Sequence, residues 1–284
     1  MLHLICALKC EARPLIECFN LVHHGREDIF NCYHNEDREM SLTITGVGKI
    51  NAAAGTMHAQ SRFGIRETDA WLNVGIAGHG TMPLGTPLLA NRINDIASGD
   101  IWYPQFVFRS PFRSCGLKTV ASPSCHYDED MVDMEAAGFY ASVVRSGTSE
   151  LIHSLKIISD NELSHRHNIS KKFITELLAD KINIIELLAD GLLELSAEIS
   201  LADSGPDHYQ TILKKWHFTQ CQRHRLFFLL QRWQALRPEH EPLVESGIHL
   251  RKGSDVLDFL EQMLDATPVN FSSRPLQTTQ SNTC

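Results

Sequence analysis

Residues 2–8, apolar but for His3, form a continuous run at the head of a 284-residue chain, and that run narrows the folds open to everything after it. A strand with no alternation has no face to give to water, so it belongs in a sheet covered on both sides. Lys9-Cys-Glu-Ala-Arg-Pro14 breaks the run and opens a short helix. Residues 41–45 predict a second strand, followed by Gly46-Val-Gly-Lys49 and an alanine-rich helix over 50–58. Residues 69–74 predict a third strand ending in a loop, Gly75-Ile-Ala-Gly-His-Gly80. Further strands are expected at 83–90 and 117–121, then a helix from Asp133 to about Val144 and a strand over 152–158 that leads to Asp160. Strands alternating with helices specify an α/β layer architecture.

From 169 to 199 the pattern is helical, and Glu-Leu-Leu-Ala-Asp occurs at Glu176 and again at Glu186. Ten residues is close to a whole number of helical turns, so the two copies are expected to share a face of one helix. Ser204-Gly-Pro-Asp207 breaks the chain, and helices are expected over 209–216, 220–236 and 256–264. The division expected is a domain over 1–200, a helical extension over 205–266, and a polar tail over 267–284 of disordered composition.

A formal charge of −8 argues against nucleic acid as the main partner. Basic and aromatic residues do interleave over 214–236, but Leu226, Leu229, Leu230 and Trp233 make a conventional apolar helix face there. They are expected to pack on the body, with the arginines solvated. The eight cysteines form no CxxC pair, which fits free thiols in a reducing cytoplasm. The N-terminus lacks the charged region and length of a secretion signal, and no apolar run approaches a membrane span.

Two glycine-rich segments are candidate phosphate loops, but neither has the required spacing. Gly46-Val-Gly-Lys49 puts its first glycine too close to the lysine, and Ile50 follows where Ser or Thr belongs. Gly75-Ile-Ala-Gly-His-Gly80 is not GxGxxG either, and both read as strand-to-helix turns whose N–H groups suit hydroxyls, water or a small anion. The two histidines of Ser164-His-Arg-His167 lack the carboxylate or cysteine support a metal needs. Three carboxylates stand out by position: Glu11 just past the first strand, Glu135 at the start of a helix, and Asp160 at a strand end. Strand ends are where open α/β sheets hold ligands. Singly, each is satisfied by a helix terminus or a solvated surface.

Taken together, the segments resemble the purine nucleoside phosphorylase and uridine phosphorylase superfamily, and within it the methylthioadenosine/S-adenosylhomocysteine nucleosidases. The matching blocks are Cys6-Ala-Leu-Lys-Cys-Glu11, Thr45-Gly-Val-Gly-Lys-Ile-Asn-Ala-Ala-Ala-Gly55, Asn73-Val-Gly-Ile-Ala-Gly78, Val132-Asp-Met-Glu-Ala-Ala-Gly138 and Ile157-Ile-Ser-Asp160. They run in the family's order over roughly the first two-thirds of the chain. The resemblance implies a three-layer α/β/α fold with a mixed central sheet, with the C-terminal helical extension outside it. It also implies a cytoplasmic enzyme of purine nucleoside metabolism and methionine salvage, a homodimer, with a small-molecule nucleoside as partner and no cofactor or metal.

Carried over position by position, the resemblance makes Glu11 the residue that orients an attacking water. Met134 would pack on the ribose and Glu135 would bind its hydroxyls. Asp160 would protonate N7 of a leaving purine with Ser159 positioning it, and Ile76, Ala77 and Gly78 would line the central wall. Such chemistry needs negative charge beside an oxocarbenium-like sugar and a proton for the departing base. The superfamily divides by nucleophile. Glu11 and Asn73 stand where phosphorylases use phosphate-binding arginines, which favours water; Arg13, Lys49 and Arg92 are the cations that keep phosphate open.

Three departures separate the chain from the pattern. Ile76 replaces a usual hydroxyl residue, Lys156 replaces a usual arginine, and the stretch 102–132 is short. That stretch normally carries a helix and the aromatic loop that stacks the base. Ser122-Pro-Ser-Cys-His-Tyr127 is its expected remnant, with His126 or Tyr127 against the base. A shortened wall implies a more open site and a bulkier substrate. It also motivates the alternative of a nucleoside-binding sensor with weakened catalysis.

Overall fold

The computed structural model describes residues 1–25, 29–64, 66–108, 110, 112–122, 128–164, 169–203, 205–243 and 250–267. The chain divides into two compact units, Met1–Ser200 and Leu201–Cys284.

The first unit is built on a sheet of ten strands among the described residues: β1 (Leu2–Cys6), β2 (Val22–His23), β3 (Asn31–Asn35), β4 (Met40–Ile44), β5 (Ala70–Gly78), β6 (Pro87–Asp95), β7 (Ile101–Trp102), β8 (Arg113–Thr119), β9 (Met131–Asp133) and β10 (Ile152–Asp160). Parallel pairs β4–β1, β1–β5, β5–β10, β6–β8 and β8–β9 combine with antiparallel pairs β2–β3, β3–β4, β5–β9, β6–β7 and β6–β10. Because β5 pairs with both β9 and β10, strands β5, β10, β6, β8 and β9 close into a ring at one end of the sheet.

Five helices cover the sheet in two layers. Leu2, Leu4 and Cys6 of β1 face one core with α1 (Lys9–Cys18), α4 (Lys171–Asp180) and α5 (Ile182–Asp203), through Leu15, Phe19, Ile174, Leu178, Ile185 and Leu192. Ile5 faces the opposite core with α2 (Lys49–Phe63) and α3 (Ala136–Val143), through Ala59, Ala137, Phe139 and Tyr140. Every residue of β1, β4 and β10 is buried, the condition expected of strands covered on both faces. The result is the expected three-layer α/β/α arrangement with a mixed sheet.

Several boundaries differ from the sequence expectation, each for a physical reason. The first strand stops at Cys6, because the N–H groups of Ala7 and Leu8 turn to the Glu11 carboxylate and start α1. The third strand continues through Gly78, so Gly75-Ile-Ala-Gly78 is not a strand-to-helix turn. Its backbone is paired with β10, Gly75 opposite Lys156 and Ile76 opposite Ile157. Gly46-Val-Gly48 is such a turn, with φ of 86° and 104° at its glycines, and α2 follows. The strand expected at 83–90 begins at Pro87, since Pro83-Leu-Gly85 turns back through Thr86 N–H to the Pro83 carbonyl. Residues 131–133 are strand rather than helix, and α3 begins only at Ala136. The stretch 169–199 breaks at Lys181, so Glu176 and Glu186 sit on different helices and share no face. Between β7 and β9 the described residues hold β8 and irregular chain, with no helix.

The second unit is a small helical cluster: α6 (Tyr209–Lys215), α7 (Gln220–Leu236) and α8 (Gly253–Asp265). Thr219 caps α7 in a reciprocal box with Gln222. Leu226, Leu229, Leu230 and Trp233 bury against Val256, Leu257, Leu260 and Leu264 of α8, so the apolar face of α7 has its partners within its own unit. Among the described residues no helix is long and apolar enough to cross a membrane.

Candidate functional site

At the rim of the ring of strands lies a cleft of about 240 Å³, small for a ligand pocket. Its walls come from the ends of β1, β5, β9 and β10 and from the turn before α2. Ala7, Leu8, Glu11, Val47, Ile76, Ala77, Gly78, Val120, Met134, Glu135, Ser159, Asp160 and Ile169 are among its lining residues. The structure therefore brings together eight of the ten residues singled out from the sequence, from segments up to 149 positions apart. His126 and Tyr127 lie outside the described residues, as do the histidines at 165 and 167.

Glu11 is 2% exposed, on the first turn of α1. Its Oε2 accepts the N–H groups of Ala7 at 3.1 Å and Leu8 at 2.8 Å, and its Oε1 accepts that of Ile76 at 3.0 Å. Burial nevertheless dominates and pushes its carboxyl up to about 7, against the opposing pull of Lys156 and the backbone donors. Glu135 stands at the cap position of α3, where Gly48 N–H donates to Oε1 at 2.8 Å and Met134 N–H to Oε2 at 3.3 Å. Burial raises its pKa too, with Lys156 opposing and Asp133 adding to the rise. Met134 sits beside it at the strand-to-helix junction. On the far wall Ser159 Oγ donates to Asp160 Oδ1 at 2.5 Å, and Asp160 is 7% exposed at the end of β10.

Beneath these carboxylates runs a layer that the sequence reading left unassigned. Lys156 is 1% exposed and its Nζ pairs with Asp133 Oδ2 at 3.0 Å. Asp133 in turn accepts from Thr119 Oγ1 at 2.7 Å and from Ala136 N–H at 2.8 Å. Burial by itself would depress the Lys156 ammonium, but Asp133, Glu135 and Glu11 together hold it above the usual lysine value. The signal was present in the sequence: a lysine flanked by Leu155, Ile157 and Ile158 in a buried strand needs a buried anion. Gly75 makes room for this layer, because a Cβ there would lie 2.9 Å from Glu11 Oε1 and 3.4 Å from Lys156 Nζ.

The cations that kept a phosphate site open are engaged elsewhere. Arg13 is exposed and pairs with Glu17, Lys49 pairs with Asp95, and Arg92 pairs with Asp130. None of the three lines the cleft. Among the described residues no group of histidine, cysteine and carboxylate side chains is arranged to hold a metal ion. The cleft thus offers a carboxylate poised to exchange a proton near neutrality, a second carboxylate free to accept hydroxyls, and a third backed by a serine. Carboxylates so placed are of the kind that general acid–base chemistry uses.

No known family description matches the chain, and no curated protein does. Solved structures do. The apo 5'-methylthioadenosine nucleosidase of Arabidopsis thaliana superposes with a TM-score of 0.56 at 15% identity, over 67% of this chain and 95% of that one. The 5'-methylthioadenosine/S-adenosylhomocysteine nucleosidase of S. pneumoniae, solved with the transition-state inhibitor MT-ImmA, gives 0.51 at 16% identity over 69% and 98%. That of Neisseria meningitidis, in complex with methylthio-immucillin-A, gives 0.50 at 18% identity over 65% and 97%. These neighbours are matched over almost their whole length, while about a third of this chain lies outside the match. At such identities the likeness is one of architecture: the chain has the fold of the methylthioadenosine/S-adenosylhomocysteine nucleosidases.

Proposed function

We propose that the protein hydrolyses the N-glycosidic bond of a purine nucleoside of the adenosine type. The observation that carries this reading is Glu11: a buried carboxylate with its pKa near neutrality, in the same small cleft as Asp160 and Glu135. In this reading the sugar lies across the cleft with its hydroxyls on Glu135 and one face on Met134. The base lies along Ile76, Ala77 and Gly78, with its N7 toward Asp160. Asp160 donates a proton to the leaving base, aided by the Ser159 hydroxyl. Glu11 orients a water toward the anomeric carbon and accepts a proton from it as the C–O bond forms. The carboxylates stabilise the positive sugar, and their cost of burial is offset by Lys156.

Water is favoured over phosphate because, among the described residues, the cleft is lined by carboxylates and no cation. A dianionic nucleophile beside Glu11 would meet repulsion. The fold of the neighbouring nucleosidases also supports hydrolysis, as do the inhibitors named in two of their structures.

The test is a base-release assay over adenosine, inosine and 5'-methylthioadenosine, with and without inorganic phosphate. Release independent of phosphate and yielding free sugar is expected, and Asp160→Asn should lower it by roughly a hundredfold or more. Phosphate dependence with a sugar 1-phosphate product would make the protein a phosphorylase. Nucleoside binding with no product would make it a sensor.

A further inference from the structure

β10 does not end as a regular strand. Ile158 stands opposite Ala77 and Asp160 opposite Gly78, so Ser159 is an extra residue, a bulge, at the strand end. A bulge bends its strand and re-aims the side chains on it, and here Ser159 and Asp160 both line the cleft. Behind the bulge a closed circuit of hydrogen bonds runs through two residues that no step of the reaction above uses, His79 and Asn161. The His79 N–H donates to the Asp160 carbonyl at 3.1 Å. The His79 ring accepts the N–H groups of Thr81 at 3.1 Å and Met82 at 3.2 Å, both on Nδ1. The Met82 carbonyl accepts from Asn161 Nδ2 at 2.8 Å, and Asn161 follows Asp160 in the chain, which closes the circuit. Asn161 also holds the turn after β10, its Oδ1 accepting the N–H groups of Leu163 at 3.0 Å and Ser164 at 2.8 Å. His79 is 3% exposed and Asn161 6%, and neither lines the cleft.

The chemistry of the ring explains why a histidine serves there. Two amide donors on one nitrogen require Nδ1 to be the unprotonated nitrogen of a neutral imidazole. An asparagine carries its Oδ1 where histidine carries Nδ1 and accepts the same pair of donors, as Asn161 itself does from Leu163 and Ser164. A phenylalanine would leave both amide donors without their acceptor, and the turn would open to find water. A general acid has to be held closely, since a displacement of about 1 Å can cost about a hundredfold in rate. Resting on the hydrolase reading above, we propose that His79 and Asn161 are positioning residues for Asp160. They fix the bulge that turns its carboxylate into the cleft, and they do so without touching the substrate.

The experiment measures kcat and KM for base release by the full chain and its variants, with melting temperature beside them. The substrate is whichever of adenosine, inosine and 5'-methylthioadenosine is cleaved fastest. His79→Phe and Asn161→Ala are each expected to lower kcat about tenfold or more, with KM changed by less than about threefold, because the acid acts in the transition state. His79→Asn keeps the acceptor and is expected to hold kcat within about threefold of the unaltered chain. The double variant His79→Phe/Asn161→Ala is expected to lose no more than the worse single variant, since both changes open one circuit. Folded variants with full kcat, a loss confined to KM, or a His79→Asn as impaired as His79→Phe would overturn the proposal while leaving the hydrolase standing. If His79→Phe does not fold, Asn161→Ala decides; if neither folds, the circuit serves the fold alone and the proposal falls. If the unaltered chain releases no base, the hydrolase reading fails and crystal structures of the variants decide. An Asp160 carboxylate turned out of the cleft in His79→Phe but not in His79→Asn supports the positioning role, and an unmoved carboxylate overturns it.

Discussion

The two units of this chain solve burial in opposite ways. The core of the C-terminal unit is apolar throughout, from Ile212 and Phe218 to Trp233, Leu260 and Leu264. Its charges stay at the surface, where Arg225 pairs with Glu261 and Arg232 with Asp265. The N-terminal unit buries Glu11, Asp133, Glu135, Lys156, Ser159 and Asp160 within one region, and among the described residues no carboxylate or lysine of the second unit is buried. Removing a charge from water costs several kcal/mol even after relaxation. That cost is the physical support for the proposal that the first unit carries the function.

If the contrast is right, its largest consequence is at Lys156. Lys156→Met leaves Asp133, Glu135 and Glu11 buried without their cation, and should destabilise the N-terminal unit by about 3–5 kcal/mol in denaturant titration. A loss under 1 kcal/mol would show that the layer is solvated and the contrast empty. Trp233→Ala should cost a similar amount, about 3–5 kcal/mol, but through a cavity in the other unit. Base release per folded molecule should survive it; loss of release in a folded variant would bring the C-terminal unit into the reaction.

Protons provide the next test. The Glu11 pKa is raised, so the stability it supports is full below about 4.5 and falls as pH rises through about 7. At about 1.4 kcal/mol per tenfold change in proton affinity, the loss is about 3 kcal/mol. His153 runs the other way. It is wholly buried, its Nε2 lies 2.9 Å from the Glu150 carbonyl, and it stacks on Phe106; burial depresses its pKa to about 4. Its contribution is present above about 6.5 and is lost as pH falls through about 4, again about 3 kcal/mol. Between about 4.5 and 6.5 the two slopes oppose and nearly cancel, so melting temperature should change little there in the native protein. Glu11→Gln should unmask the rise of stability with pH that His153 gives, and His153→Phe the fall that Glu11 gives. The same Glu11 proton predicts that base release climbs with pH through about 7, and Glu11→Gln should abolish that climb. The smallest effect belongs to the surface of the second unit: Arg232→Ala should change stability by under about 1 kcal/mol, since both partners of its pair are exposed.

Much of this was legible in the chain. The run over 2–8 announced a doubly covered strand, which the structure ends at Cys6, and Gly46-Val-Gly48 announced a strand-to-helix turn. Glu11, Glu135 and Asp160 stood out by their places at the ends of elements, and the family resemblance gave them roles and added Ser159. Gly75 was misread as part of a turn, because a glycine in a strand and a glycine in a loop look alike in sequence. Its reason is the Glu11 carboxylate and the Lys156 ammonium passing beside it, and both come from elsewhere in the chain. Lys156 was noted for its identity but not for its partner.

What the sequence determined by itself is the set of local preferences: which segments extend, which coil, and which must be covered on both faces. Those follow from hydrophobic period and backbone stereochemistry, which act over a few residues. Only the tertiary structure decided that Glu11 meets Ile76, that Gly48 holds Glu135, and that Lys156 neutralises Asp133. Those are encounters between distant segments, set by strand order and ring closure, and no local pattern encodes them.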